Sequence, residues 1–199
     1  PPAGTFAATA EAASMAATDI GFPVVLKIVS PQASHKTEVG GVALNLGDRV
    51  AVVAAADDMA ARLHAVGPTA RIDGYLVQEM VSGTEVILGV REDPQFGAFM
   101  VVGLGGVLVE AMRDISFRML PVNEADGREM LDELRGKAVL GAFRGSPARD
   151  VDALVKAIRS LSDLYMDYRL HLADLEVNPL IVGAAGEGVW AVDVRPVWR

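Results

Sequence analysis

The chain has 199 residues, of which 51% are hydrophobic and 22% are charged. This composition is typical of a globular protein with one domain or two small ones, and it excludes a disordered chain. The formal net charge of −8 argues against nucleic acid or an anionic membrane as a main partner, and the absence of cysteine excludes disulfides, thiolate metal sites and a cysteine nucleophile.

The first 80 residues are predicted to contain two helices and three strands. Residues 9–20 are rich in alanine and predict a short helix, whereas Val24–Val29 is an almost continuous apolar run that predicts a strand. After a polar loop, Val42–Leu46 is a second predicted strand. Asp48 is a candidate N-cap for a helix that extends to about residue 66. A further strand is predicted at residues 75–80.

The rest of the chain is predicted to contain more strands than helices. Strands are predicted at residues 85–91, 98–102, 107–112 and 117–121. Asn123 begins a helix that runs to about residue 134, and Asp150 caps a longer helix. The apolar positions of that helix follow helical spacing: Leu154, Ile158, Leu161 and Leu164. A hairpin ends the chain, and the order of these elements predicts a mixed α+β fold.

The final hairpin carries the clearest chemical signal. In its first strand Asp174, Glu176 and Asn178 alternate with apolar residues, so the three oxygen-bearing side chains share one face. A turn centred between residues 185 and 186 places Asn178 opposite Asp193, with Cβ atoms about 4.5–5.5 Å apart. Clustered amide and carboxylate oxygens suit Mg²⁺. The alternative is a polar, solvent-exposed face of an edge hairpin.

Lys27 and the loop after it allow either a functional or a structural interpretation. Lys27 is either an edge lysine that extends into solvent or a buried cation with an anionic partner. In the loop 34–41, His35 precedes the glycine pair Gly40 and Gly41, whose backbone can approach a phosphate closely. His35 is therefore either an exposed loop histidine or a nucleophile for a phosphoryl group.

The segment Gly103-Leu-Gly-Gly106 also has two interpretations. It is either a simple turn between apolar strands or a lid over a triphosphate. Arg118 follows it in the chain, where it would stabilise charge on a transferred phosphoryl group.

Taken in order, several segments resemble one family closely. They are GFPVVLKIVSP at 21–31, SHKTEVGGV at 34–42, VQEMV at 77–81, GLGG at 103–106, ISFR at 115–118, LEVNPL at 175–180 and AVD at 191–193. This set resembles the ATP-grasp domain of the ADP-forming acyl-CoA synthetases, relatives of the succinyl-CoA synthetase beta subunit. The resemblance implies an ATP-grasp fold, with nucleotide between two α+β subdomains at residues 1–80 and 81–199.

The resemblance implies a role for each matching residue. Lys27, Gly40 and Gly41 would lie near the ATP phosphates, and Gly105 and Gly106 would cover them. Backbone groups of a hinge beside the adenine would come from Gln78, Glu79, Met80 and Val81, and Glu85 would lie near the ribose. Asn178 and Asp193 would hold Mg²⁺, with Glu176 as a further ligand or as a supporting group.

His35 points to one branch of this family. It matches a loop histidine of the ADP-forming acetyl-CoA synthetases, which is implied to carry phosphate between a distant acyl-phosphate site and ADP. Succinyl-CoA synthetases lack a histidine here. The implied catalytic residues are therefore His35 and Arg118, and the implied reaction forms acyl-CoA from a carboxylic acid and CoA with ATP and Mg²⁺.

The resemblance also predicts partners outside this chain. The chain begins at Pro1 without methionine, and the family's domain begins some residues earlier. We therefore expect a piece of a longer protein or a truncated subunit. The CoA-binding and ligase domains are the expected partners, and CoA would bind mainly to them.

Two other functions fit the same motifs. One is a regulatory nucleotide-binding module of a protein fused to an acetyltransferase domain, although the retention of Lys27, His35, Asn178 and Asp193 favours catalysis. The other is an ATP-grasp ligase that joins a carboxylate to an amine, which the histidine loop disfavours. The sequence shows no signal peptide and no apolar run long enough to cross a bilayer, so we expect a cytoplasmic protein.

Overall fold

The computed structural model describes residues 1–31, 40–67, 69–105, 114–143 and 145–199. These residues form two compact units, Pro2–Val81 and Ser82–Arg199, with Pro1 grouped with the second. Each unit has its own antiparallel sheet and its own hydrophobic core, which confirms the predicted α+β fold. None of the described helices is both long and apolar enough to cross a membrane.

The described part of the first unit contains a four-stranded sheet and two helices. The strands are β1 (Gly4–Ala7), β2 (Val24–Val29), β3 (Val42–Leu46) and β4 (Gly74–Glu79), and the helices are α1 (Ala10–Ile20) and α2 (Arg49–Val66). The strand order is β1-β4-β2-β3, and each of these pairings is antiparallel.

Each helix of the first unit begins at a capping side chain. Thr9 Oγ1 accepts a hydrogen bond from the Ala12 amide at 3.1 Å, and Asp48 Oδ1 accepts one from the Ala51 amide at 2.8 Å. The predicted Asp48 cap is therefore confirmed. Such caps contribute about 1 kcal/mol each, because they satisfy an amide that has no partner within the helix.

Strand alternation divides the sheet of the first unit into two faces. One face packs against α1 and α2 and supplies core residues from β2 and β4: Val24, Leu26, Ile28, Tyr75 and Val77. Lys27 and Gln78 alternate with these core residues, so they share the face opposite the helices.

The described part of the second unit is built on a six-stranded sheet. Its strands are β5 (Thr84–Asp93), β6 (Gly97–Leu104), β7 (Ile115–Met119), β8 (Leu172–Val182), β9 (Val189–Ala191) and β10 (Val194–Trp198). Its helices are α3 (Glu124–Glu133), a 3₁₀ turn at Lys137–Leu140, and α4 (Val151–Tyr168). The strand order is β10-β8-β5-β6-β7, and β9 also pairs with β8.

Helices α3 and α4 cover one face of this sheet. The covered face contributes the core residues Val86, Leu88, Val90, Met100, Val102, Leu104, Leu175 and Val177. The alternate positions form the opposite face, which we call the distal face; it carries Arg91, Glu176, Asn178 and Arg195. The core thus fixes which side chains of β8 are available for chemistry.

The structure corrects the predicted elements in three places. Strand β1 was not predicted, because its four residues are specified by pairing with β4 rather than by a local pattern. Strand β7 ends at Met119 instead of residue 121, since Pro121 has no amide hydrogen for a sheet. Leu164 is exposed, and Tyr165 occupies the buried position instead. The strand predicted at 107–112 lies outside the described residues.

Candidate functional site

The register of the final hairpin agrees with the prediction. Leu180 pairs with Ala191 in β9, and Val177 pairs with Val194 in β10. Between these pairs, the Asn178 amide donates to the Asp193 carbonyl at 3.0 Å. The predicted placement of Asn178 opposite Asp193 is therefore confirmed. Their role in metal binding stays a prediction.

Asp150 anchors the turn of this hairpin to the start of α4. Its Oδ1 atom caps α4 by accepting from the Ala153 amide at 3.0 Å. Its Oδ2 atom accepts from the amides of Gly188 at 2.9 Å and Gly186 at 3.1 Å. These backbone hydrogen bonds, that of Ala153 above all, hold the pKa of Asp150 below its ordinary value. The turn can follow this path because both glycines have φ of 87°.

Glu176 is held by partners from three strands. Its Oε1 atom accepts from Asn178 Nδ2 at 3.2 Å, and its Oε2 atom accepts from Arg195 Nη2 at 3.2 Å. Arg91 Nη2 lies 3.6 Å from the same Oε2 atom. Both oxygens of Glu176 are therefore engaged.

Asn178 and Asp193 differ from Glu176 in the partners of their side-chain oxygens. Both residues are exposed, and within the described residues neither Asn178 Oδ1 nor the Asp193 carboxylate has a hydrogen-bond or ion-pair partner. Amide and carboxylate oxygens are the hard ligands that Mg²⁺ prefers, together with waters and phosphate oxygens. The donor set thus fits Mg²⁺ with two protein ligands. The described residues contain no group of three His, Asp or Glu side chains that would form an all-protein site.

Lys27 and Gln78 are the candidate binding groups of the first unit. Lys27 is only 5% exposed and Gln78 only 7%. Lys27 interacts with other groups of the protein, which favours the buried-cation interpretation over an edge lysine in solvent. Gln78 Oε1 is buried, and among the described residues it has no hydrogen-bond partner. An unsatisfied buried acceptor costs about 1–3 kcal/mol, so Gln78 is suited to receive a donor from a ligand.

The predicted hinge residues lie at the end of β4. The Glu79 amide donates to the Ala3 carbonyl at 2.9 Å, and Glu79 Oε1 accepts from the Ala3 amide at 2.8 Å. Glu79 thus joins the segment before β1 to β4. Met80 and Val81 follow and are half-buried. Contact of these residues with an adenine stays a prediction.

Glu85 and Gly105 are brought together by the pairing of β5 with β6. The Gly105 amide donates to the Glu85 carbonyl at 2.7 Å. A Cβ atom at Gly105 would lie 2.6 Å from Glu85 Cβ, so only glycine fits without a shift of the backbone. Gly40 and Gly41 precede β3 in the first unit, and the Gly41 carbonyl accepts from the Ile28 amide at 2.9 Å. Gly106 and His35 lie outside the described residues.

Arg118 lies on the helix-covered face of the sheet, apart from the distal face. Its Nη2 atom is 2.9 Å from Glu133 and 3.3 Å from Glu129. Ser116 Oγ donates to Glu133 at 2.5 Å, and Ser116 and Arg118 together hold the pKa of Glu133 below its ordinary value. A catalytic role for Arg118 stays a prediction, and it would require the guanidinium to leave these carboxylates.

Two residues of the distal face, Arg91 and Arg195, were not among the site residues predicted from the sequence. The register that places Asn178 opposite Asp193 also places Arg195 opposite Glu176. The hairpin register is thus a sequence signal for the Glu176–Arg195 pair. Arg91 could not be found in this way, because it reaches Glu176 from β5, which is distant in the chain.

The chain belongs to the ATP-grasp domain family, whose model matches residues 2–197. It is 35% identical over its whole length to the beta subunit of acetate–CoA ligase [ADP-forming] II of Pyrococcus furiosus, and it covers 84% of that subunit. It is 40% identical to acetate–CoA ligase [ADP-forming] I of Archaeoglobus fulgidus over 91% of this chain. The chain spans only 26% of that longer ligase.

Solved structures agree with this relationship. The chain matches the dinucleotide-forming acetyl-coenzyme A synthetase 1 of Ca. Korarchaeum cryptofilum, in complex with coenzyme A, Ca-AMPCP and HgCl⁺, with a TM-score of 0.91 and 38% identity. The match covers 100% of this chain and 86% of that one. The predicted ATP-grasp fold and the resemblance to ADP-forming acyl-CoA synthetases are both confirmed.

Proposed function

We propose that this chain is the nucleotide-binding part of an ADP-forming acyl-CoA ligase. In the proposed reaction, a carboxylic acid, CoA and ATP give acyl-CoA, ADP and phosphate. The observation that carries the proposal is the 35% identity to an acetate–CoA ligase beta subunit over the whole chain, with 84% of that subunit covered. We also propose that residues 1–80 and 81–199 are the two subdomains of this ATP-grasp domain.

The site residues divide by the chemistry that each can perform. Lys27 would bind phosphate oxygens, Gln78 to Val81 would contact the base, Glu85 the ribose, and Gly40, Gly41, Gly105 and Gly106 would lie near the phosphates. Asn178 and Asp193 would hold Mg²⁺, which neutralises charge on the phosphate oxygens when it is bound. His35 would accept and donate the phosphoryl group, and Arg118 would stabilise its charge.

The proposed reaction also needs CoA-binding and ligase domains as partners of this chain. CoA would bind mainly to CoA-binding and ligase domains, which are either on the same polypeptide or on a second subunit. The relatives described above occur in both arrangements by their names and lengths, as a beta subunit and as a longer single chain. We further propose a cytoplasmic enzyme that acts on neither nucleic acid nor membranes.

The regulatory alternative has weaker support. The relatives described above are named as acetate–CoA ligases, and their names do not mention an acetyltransferase. A regulatory module would need nucleotide affinity alone, whereas a ligase also needs a phosphoryl carrier. The two functions therefore differ most at His35.

Replacement of His35 tests this difference. In the full-length protein, His35→Ala is expected to abolish ADP-linked acyl-CoA turnover while leaving ADP affinity within a few-fold of wild type. His171→Ala is a matched control, because the exposed His171 is on the surface of the second unit. Calorimetry would measure ADP affinity, and a coupled assay would measure turnover.

Each of the other possible outcomes has a different meaning. Loss of affinity together with turnover would mean that His35 contacts the nucleotide or supports the fold. Unchanged turnover would remove the phosphoryl relay from the proposal. Failure of the wild-type protein to bind Mg·ADP or Mg·ATP would overturn the nucleotide site altogether.

A further inference from the structure

The two oxygens of Glu176 have different partners. Oε1 takes one hydrogen bond, from Asn178 Nδ2 at 3.2 Å. Oε2 forms ion pairs with both arginines, with Arg195 Nη2 at 3.2 Å and Arg91 Nη2 at 3.6 Å. The arginines come from the strands on either side of β8, so they hold the carboxylate from two directions.

This arrangement determines the orientation of the Asn178 amide. An ionised carboxylate accepts hydrogen bonds but cannot donate them, so the amide must direct its nitrogen towards Glu176. The amide oxygen then lies on the other side of the group. Asn178 is paired with Asp193 on the neighbouring segment, so one amide oxygen and one carboxylate remain for a cation.

We propose that Arg91 and Arg195 are positioning residues of the metal site, and that they act through Glu176. They occupy Oε2, which keeps Glu176 from turning to the cation and leaves Oε1 to orient Asn178. Glu176 is then not a metal ligand itself. This inference rests on the proposed function, because it assumes that Asn178 and Asp193 bind Mg²⁺.

The alternative, in which Glu176 is a direct ligand, predicts the opposite result. The arginines would then compete with the cation for Oε2, and their removal would strengthen metal binding. If the arginines position Glu176 instead, their removal would let the Asn178 amide rotate and would weaken metal binding. Altering a side chain that orients a metal ligand typically reduces affinity about 10- to 100-fold.

The test compares two backgrounds in the full chain. Arg91→Gln/Arg195→Gln would be made in the wild-type protein and in a Glu176→Ala variant. Mn²⁺ affinity in the presence of ADP would be measured by electron paramagnetic resonance, and ADP affinity without metal by calorimetry. Arg128→Gln is the control, since Arg128 forms an exposed ion pair with Asp152 on the helix-covered side.

In the wild-type background, the double replacement is expected to weaken Mn²⁺ binding about 10-fold and to change metal-free ADP affinity less than two-fold. In the Glu176→Ala background the same replacement should cause no loss, because the arginines have no carboxylate to hold. Removal of two nearby cations would by itself favour Mn²⁺, so a loss confined to the wild-type background indicates positioning.

A second measurement does not depend on metal. In the metal-free protein, the side-chain amide resonance of Asn178 should shift in the arginine double variant and in Glu176→Ala, but not in Arg128→Gln. Stronger Mn²⁺ binding in the double variant, or an unchanged Asn178 resonance, would overturn the positioning role. Lack of Mn²⁺ binding by the wild-type protein would instead overturn the metal site of the proposed function.

Discussion

Two clusters on opposite faces of the second sheet are similar in composition but differ in what they leave available. On the helix-covered face, Glu133 binds Ser116 and Arg118. On the distal face, Glu176 binds Asn178, Arg91 and Arg195. Each cluster is therefore a glutamate held by a neutral donor and at least one arginine.

The two clusters differ in the groups that surround each glutamate. The partners of Glu133 belong to β7, and Glu133 ends α3, so this cluster joins a helix to the sheet. The neutral partner of Glu176 is Asn178, whose amide oxygen has no partner among the described residues and which faces Asp193. Similar ion pairs can thus stabilise a fold or orient a ligand, and the neighbouring groups decide which.

The largest expected effect is on the distal face. Asp193→Asn removes a hard anionic oxygen and keeps the shape of the side chain, so it should weaken Mg²⁺-dependent ADP binding about 100-fold. Metal-free ADP binding should change little. Calorimetry with Mg²⁺ and with a chelator measures both, and equal losses in the two conditions would show that Asp193 does not bind metal.

Loss of the other cluster should affect stability instead. Glu133→Ala leaves the buried Ser116 hydroxyl without its acceptor, and it should lower the free energy of unfolding by about 1–3 kcal/mol. Urea denaturation would measure this change. Mg²⁺-dependent ADP affinity should remain that of wild type; a parallel loss of metal affinity would contradict the separation of the two clusters.

The pH dependence of stability should sharpen the comparison. Hydrogen bonds from Ser116 and then Arg118 lower the pKa of Glu133, so the folded state favours its ionised form. The resulting stabilisation is complete above the ordinary glutamate pKa of about 4.3 and is lost as the pH falls through the lower, folded-state pKa. Glu133→Gln should therefore flatten the acid limb of the stability curve, measured by urea denaturation across that pH range. A curve with unchanged slope would mean that other carboxylates control it.

An exposed ion pair provides the smallest expected effect. Arg128 Nη2 lies 2.7 Å from Asp152 Oδ1, but both side chains are largely in solvent. Arg128→Gln should change the free energy of unfolding by less than about 1 kcal/mol and leave Mg²⁺-dependent binding unchanged. A larger loss in urea denaturation would show that charge in general, rather than the buried partner Ser116, explains the effect at Glu133.

Local patterns were sufficient for much of the fold. The caps Asp48, Asn123 and Asp150 were predictable because a short polar side chain before an apolar periodic segment satisfies the first amides of a helix. The register of the final hairpin was predictable because side chains alternate and the turn is short. Strand β1 was not, since it depends on pairing with β4 some 70 residues later in the chain.

The candidate site shows the same division. The sequence by itself determined that Asn178 faces Asp193, because both lie in one hairpin with a fixed register. Only the tertiary structure decided that Glu176 is engaged by Arg91, that Arg118 faces α3, and that Gln78 has a buried acceptor. These properties depend on which strands become neighbours and which face the helices cover. Such contacts join residues that are far apart in the chain, so local periodicity carries no information about them.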